Sequence, residues 1–373
     1  MPPPIQRVVV LGGGILGVST AVHLLRGGAG VTLVTEAELA SGASGRSLSW
    51  LNSAGERPDP YHLLRMAGID RYRTLFAADP SRDWLRFDGA LYWGRAGEEE
   101  ATRRRHSAEK RHGYDSHLVA PAQVGSLTPR VNPAAVAPQA IFNPGEGWVS
   151  LPHLIEFLIE EFKNLGGDLV THAGKASVVL TDGRATGVVT AGTGVKYDGD
   201  AVVVACGPQT PEVVAALGIT IEDASPVSML VVTKPVEHGL RTVLNTPRAA
   251  VRPNPGNTLA ADHDWYEEAI TENADGSYSI PEPVVKELLD EAAQLIEGTP
   301  ALEPASWKIG RKPIPGDGEP VFGELEQAAG CFVAFTHSGA TLGLIGGELL
   351  AGEVLTGDRH PMLESFRPGR FSR

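Results

Sequence analysis

Gly12-Gly13-Gly14-Ile15-Leu16-Gly17 is a G-x-G-x-x-G run, and a turn of that composition bares backbone N–H groups to a diphosphate. The first glycine permits the tight reversal out of a strand. The second lets the backbone approach a pyrophosphate, and the third lets a helix pack closely on a sheet. Glu36 lies about twenty residues on, where a carboxylate accepts hydrogen bonds from a ribose diol and repels a 2′-phosphate. The pattern therefore points to an adenine dinucleotide, FAD or NAD, and disfavours NADP. A glycine-rich turn in some other parallel sheet is the bland alternative.

Such chemistry needs a strand, a helix and a second strand in register. Val8-Val9-Val10-Leu11 is a β-branched apolar run that reads as a fully buried strand. Val18, Ala21, Val22 and Leu25 recur at helical spacing, Gly27-Gly28 stops the helix, and Val31 to Val34 reads as the second strand, ending at Glu36. The motif thus sits in a βαβ unit. The small residues of Ala40 to Ser47 would leave further amides free for an anion, or form a mobile surface loop.

Beyond this unit, spacing predicts a helix over 61–77, a half-buried strand over 85–93, a solvated, charged helix face over 98–112 and a connector over 121–144. Ser150 is a fair N-cap for a helix from Leu151, and Asp182-Gly183 is a hairpin signal. Residues 227–261 read as an antiparallel sheet, 281–296 as an amphipathic helix, and 331–335 as a buried strand leading into a last helix.

A chain of 373 residues with 42% hydrophobic content predicts two packed domains. Against 45 acidic residues stand 32 basic ones, a formal charge of -13. That balance argues against nucleic acid or an anionic membrane surface as the main partner. Cys206 and Cys331 each sit in an apolar run and are expected to be buried thiols rather than a disulfide. Met1-Pro2-Pro3-Pro4 lacks the basic and apolar regions of a signal peptide, and no apolar run approaches the roughly 18 residues of a membrane span. The expectation is a soluble, cytoplasmic protein.

Three glycine-bearing stretches, 11–17, 41–47 and 336–347, together resemble the D-amino acid oxidase family of flavoproteins. Gly147-Trp148-Val149, Val202 to Pro208, Lys312-Pro313-Ile314-Pro315-Gly316-Asp317-Gly318, and the ending Phe366-Arg367-Pro368 with Arg370-Phe371 extend the resemblance over nearly the whole chain. It implies an α/β fold: a Rossmann-type FAD-binding domain, 1–85, 146–222 and 305–373, interleaved with an antiparallel-sheet α+β substrate domain, 86–145 and 223–304. Carried over by position, the cofactor contacts are Gly12, Gly14, Ile15, Leu16, Gly17, Glu36, Ala37, Ser44, Gly45, Arg46, Ser47, Ser49, Trp50, Leu51, Ala176, Cys206 and Gly207. His337, Ser338, Gly339, Ala340, Thr341 and Leu342 form the loop beside the flavin. Some members link FAD through a histidine or a cysteine; those positions hold Leu51 and, nearby, Gly310 here, which implies non-covalent FAD.

The implied activity is oxidation of the C–N bond of a small amino acid or N-substituted amine to an imine by hydride transfer to flavin, with oxygen or a carrier as electron acceptor and no metal. An arginine that grips the substrate carboxylate in some members aligns with Lys312, a point charge rather than a bidentate fork. Arg311 would face the opposite way on a strand. Arg252, in the β-rich run, is the third candidate anchor. A non-amine substrate such as a hydroxy acid, or an NAD-binding protein, remain the alternatives.

Overall fold

Val8, Val9 and Val10 are at most 1% exposed because their strand, Arg7–Leu11, lies inside a parallel sheet and is covered on both faces. The computed structural model describes residues 6–371, so the reading of Met1 to Pro4 lies outside the described residues. The chain divides into two compact units: 1–45 with 151–226 and 311–373, and 46–150 with 227–310.

The first unit is built on a six-stranded sheet. Its strands run in the order Val321–Glu324, Cys331–Phe335, Ala201–Val204, Arg7–Leu11, Gly30–Val34 and Asp168–Val170, and all neighbours are parallel except the first pair. Helices Ile15–Arg26, Leu151–Asn164 and Gly339–Thr356 belong to the same unit. The hairpin at Asp182-Gly183 forms as expected, both residues having positive φ between Ala176–Thr181 and Arg184–Thr190.

The second unit carries an eight-stranded sheet: Pro304–Arg311, Val227–Thr233, Thr258–Asp262, Ala250–Asn254, Val243–Asn245, Ala90–Tyr92, Ala140–Asn143 and His117–Val119. It is antiparallel at Val227–Thr233 through Val243–Asn245, as predicted, but Val243–Asn245 runs parallel to Ala90–Tyr92. Helix Glu282–Gln294 buries Val285, Leu288, Leu289 and Ala292 in a cluster with Val231, Val251 and Leu259. Its apolar face matches the 3.6-residue period read from the sequence. A three-stranded sheet joins Trp50–Leu51, Gly147–Val149 and Leu85–Arg86.

That small sheet explains where the unit boundaries depart from the sequence reading. Residues 46–85 and 146–150, expected with the dinucleotide fold, fall in the second unit, where Trp50, Leu51, Leu85 and Arg86 all pair with Gly147–Val149, and 305–310 fall there too, in the strand beside Val227–Thr233. Residues 223–226 join the first unit, where Ala224 donates to the Ile314 carbonyl and the Pro226 carbonyl accepts from Lys312. The proline-rich 121–144 stretch is not a bare connector: it contains helix Pro121–Leu127 and strand Ala140–Asn143. Helix Glu99–Arg111 has the solvated face expected of it, with Glu100, Arg103, Arg104, Lys110 and Arg111 exposed, and buries Thr102, Ala108 and Glu109.

Candidate active site

In the first unit the glycine turn is fixed by contact. Gly12 adopts φ +114°, and a Cβ there would stand 2.2 Å from the Ala205 carbonyl oxygen; one at Gly17 would stand 2.0 Å from the Gly12 oxygen. Both positions exclude a side chain, for the reasons the motif predicts. Gly14 faces more open space, its ideal Cβ meeting only Ser44 Oγ, at 3.2 Å. Ser44 Oγ accepts from the Ile15 N–H at 3.0 Å, and the N–H groups of Leu16 and Gly17 lie in the first helical turn, where the helix itself offers no acceptor. Gly45 closes the 3₁₀ turn Ala43–Gly45 beside this helix end.

The last helix lies alongside the first and runs in the same direction. Gly339 approaches Ile15, Gly347 approaches Ser19 and Thr20, and Gly27 approaches Leu355. At Gly347 the approach is so close that a Cβ would sit 2.3 Å from Ser19 Oγ. Two positive helix ends therefore meet at one edge of the sheet. There His337 is exposed and Ser338, Thr341 and Leu342 are buried, with Gly339 and Ala340 between them.

Glu36 stands exposed just beyond strand Gly30–Val34, its carbonyl held by the Gly174 N–H at 3.0 Å. Ala37 accepts from the His172 N–H, and Ala176 opens the hairpin that follows. Cys206 and Cys331 are both free thiols. Burial pushes each up to about 12, with Glu36 adding to the effect at Cys206, whose Sγ donates to the Leu11 carbonyl at 3.7 Å. Gly207 follows with φ +56° and open space around it. No group of His, Cys, Asp and Glu among the described residues could hold a metal ion.

Arg311 and Lys312 leave the large sheet differently from the strict alternation expected. The strand ends at Arg311, so Lys312 lies past it. The Arg311 guanidinium pairs with the Asp223 carboxylate, which commits that side chain. Arg370 clamps Asp317 through two bonds of 2.6 and 3.0 Å, and Arg367 grips the buried Glu353 of the last helix at 2.7 and 2.8 Å. The terminal arginine motif thus does structural work.

In the second unit Arg46 is half-buried, which lowers its pKa, and its guanidinium fills the space a side chain at Gly310 would take, 2.6 Å from an ideal Cβ. Ser47 Oγ accepts from the Ser49 N–H at 3.1 Å. Ser49 is buried with φ +55°, a left-handed conformation that a non-glycine residue adopts only under constraint. Leu51 is fully buried. Trp50 pairs across the small sheet with Trp148 and donates its indole N–H to Glu146 Oε2 at 2.7 Å.

Glu146 went unnoticed in the sequence, although it precedes the recognised Gly147-Trp148-Val149. It is fully buried and receives the Tyr114 hydroxyl at 2.5 Å. Burial pushes its carboxyl up to about 8, against the lowering effect of the Tyr114 and Trp50 bonds. Arg252, at 3% exposure, stacks 5.0 Å from the Trp148 ring. Its guanidinium donates to the carbonyls of Leu48 and Pro253 and to Asn254 Oδ1, all neutral acceptors. Burial lowers its pKa to about 9, so it remains a cation at neutral pH.

A family model described as FAD dependent oxidoreductase matches residues 7–353. The chain belongs to that family. Glycine oxidase of Geobacillus kaustophilus (strain HTA426) is 26% identical over 358 residues, covering 92% of this chain and 91% of that protein. The crystal structure of glycine oxidase from Geobacillus kaustophilus superimposes with a TM-score of 0.81 at 22% identity, covering 98% of this chain and 99% of that one. Iminodiacetate oxidase from Chelativorans sp. BNC1 gives 0.79 at 21% identity, over 97% and 99% of the two chains. L-proline dehydrogenase from P. horikoshii gives 0.80 at 18%, over 100% and 99%. The residues fit the family's cofactor: a turn that excludes side chains at Gly12 and Gly17, open space at Gly14, and two convergent helix amino ends suit a dinucleotide's diphosphate. The protein is an FAD-dependent oxidoreductase, and the NAD alternative is set aside.

Proposed function

We propose that the protein oxidises the C–N bond of a small amino acid or N-substituted amine, with FAD held non-covalently in the first unit. The observation that carries this reading is Arg252: a buried guanidinium whose hydrogen bonds go to neutral acceptors, with Asp262 raising its pKa through space against the larger effect of burial, can take a further anion. A substrate carboxylate there would add a hydrogen-bonded counter-charge, which the Leu48, Pro253 and Asn254 acceptors do not supply. The names of similar proteins, glycine oxidase, iminodiacetate oxidase and L-proline dehydrogenase, all denote amino or imino acids.

When bound, FAD supplies the two-electron acceptor for the substrate hydride. The chain's own part is to bind and orient. Backbone N–H groups at Gly14 to Gly17 would hold the diphosphate, Glu36 would accept from the ribose hydroxyls, and the amino end of helix Gly339–Thr356 would present positive potential to the cofactor. Ser44 stands at the same turn, while Ala37, Gly45, Arg46, Ser47, Ser49 and Trp50 are assigned to the cofactor by resemblance. Leu51 and Ala176 serve through packing and backbone. Arg252 is the proposed carboxylate anchor; Lys312 and Arg311 are the alternative anchors, and Arg311 is paired with Asp223. Oxygen or another carrier removes the electrons, and the cytoplasm is the proposed compartment; among the described residues no helix is long and apolar enough to cross a membrane.

Anaerobic mixing of the yellow holoprotein with a panel of D-, L- and N-methyl amino acids tests the reading. Bleaching of the flavin bands by at least one member is expected. Bleaching by hydroxy acids alone would replace the amine assignment.

A further inference from the structure

The second unit holds a second group of cations, away from the bonds of Arg252. Arg57 and Arg65 both lie over the Tyr61 ring, their guanidinium carbons 5.6 and 5.4 Å from its centroid. Arg65 is 4% exposed and is oriented by the Asn52 carbonyl at 2.8 Å, Asn52 Oδ1 at 3.0 Å and the Tyr61 hydroxyl at 3.4 Å. Two like charges held against one ring repel each other. Burial first, then Arg65 and Arg105, lower Arg57 to about 10.

Two buried nitrogens in this group have no hydrogen-bond partner among the described residues: Arg57 Nε and His112 Nδ1. His112 stacks on His62 at 4.4 Å, and its other nitrogen bonds the exposed Asp59 carboxylate at 3.0 Å. His62 in turn is held by Ser53 Oγ at 2.8 Å. Helix Asp59–Ala78 begins just after Arg57, with no side-chain cap on its amino end, so its dipole adds positive potential at the same place. Of the nearby acidic groups, Asp59 bonds His112 within the group, Glu146 acts on Arg57 through space, and the hydrogen bonds of Glu109 and Glu146 go to other residues. Glu109 takes Arg105, Ser116, Asn143 and the Gly55 N–H, and Glu146 takes Tyr114 and Trp50.

We propose that Arg57, with Arg65, Tyr61 and His112, forms a binding site for a small carboxylate, separate from Arg252. An anion there would satisfy Arg57 Nε, meet His112 Nδ1 in its protonated form, and offset the repulsion between the guanidinium groups. The carboxylate is either a second acidic group of the substrate or a free ligand. The first source rests on the amine-oxidation reading, whereas the site itself does not.

The test is calorimetric titration of the holoprotein with malonate at low ionic strength, in the wild type, Arg57→Gln and Arg57→Lys. Arg57→Gln should weaken binding by about tenfold to a hundredfold, the effect of losing one charge-assisted contact, and Arg57→Lys should restore part of it. Equal malonate affinity in the wild type and Arg57→Gln, or no binding to the wild type, overturns the proposal. Kinetics separate the sources. A KM rise in Arg57→Gln confined to amines with two carboxylates supports the substrate as ligand, and Arg57-dependent malonate binding with unchanged kinetics for every amine supports a free one. If no amine bleaches the flavin, the amine reading falls while the titration still decides the site.

Discussion

Glu146→Gln isolates the buried carboxyl of the second unit. In the native protein Glu146 retains its proton up to about 8, burial being the main cause; in the unfolded chain a glutamate releases it near about 4.3. Because the folded-state value is raised, the folded form binds the extra proton between those limits. Glu146 therefore favours folding most at low pH, and its contribution falls as pH rises from about 4.3 to about 8. At about 1.4 kcal/mol per pH unit, a carboxyl carried that far corresponds to on the order of 5 kcal/mol across the window. Glutamine has no proton to release, so its stability profile should lack this slope. Tyr114 and Trp50 donate to different oxygens of Glu146, so the single amide oxygen of glutamine keeps one of these bonds; that loss is the same at both pH values and leaves the comparison of slopes intact. Urea unfolding of holoprotein and variant at pH 5 and pH 8.5 provides the comparison, read through Trp fluorescence. The wild type should lose several kcal/mol more than Glu146→Gln over that interval. If both lose the same amount, Glu146 is ionised in the folded protein at neutral pH and the desolvation argument is refuted.

Acid precipitation should release all flavin into the supernatant, because Leu51 and Gly310 offer no nucleophile; flavin in the pellet would contradict non-covalent binding. Glu36→Ala should weaken FAD by about 1.5–3 kcal/mol, the worth of hydrogen bonds to a charged acceptor, and an unchanged flavin titration would remove Glu36 from the site. Lys312→Met should raise the KM for carboxylate substrates with the flavin spectrum intact, while Arg311→Met should spare KM and lower stability through the loss of its Asp223 partner. The reverse pattern would make Arg311 the anchor.

The parts of this protein that were legible in its sequence are those whose information is local. Strand Arg7–Leu11, the glycine turn and helix Ile15–Arg26 declare themselves by composition and period within one short window, and the close approaches at Gly12 and Gly17 are what those glycines foretold. Helix Glu282–Gln294 was legible for the same reason. Glu109 and Glu146 were not, because a buried carboxylate and a surface one are spelled alike. What distinguishes them is the donors that surround them. For Glu109 these come from Gly55, Arg105, Ser116 and Asn143, and for Glu146 from Trp50 and Tyr114. Several of these donors are distant in sequence: Gly55 and Asn143 lie 54 and 34 residues from Glu109, and Trp50 reaches Glu146 across the pairing of Trp50–Leu51 with Gly147–Val149. The same long-range pairing moved the unit boundary from 85 to 45. Arg252 makes the converse case: its place in a β-rich run was visible, but its value as an anchor lies in what its bonds lack. A guanidinium that the fold buries on carbonyls and an amide keeps its charge available, whereas one that finds an aspartate, as Arg311 does, has spent it.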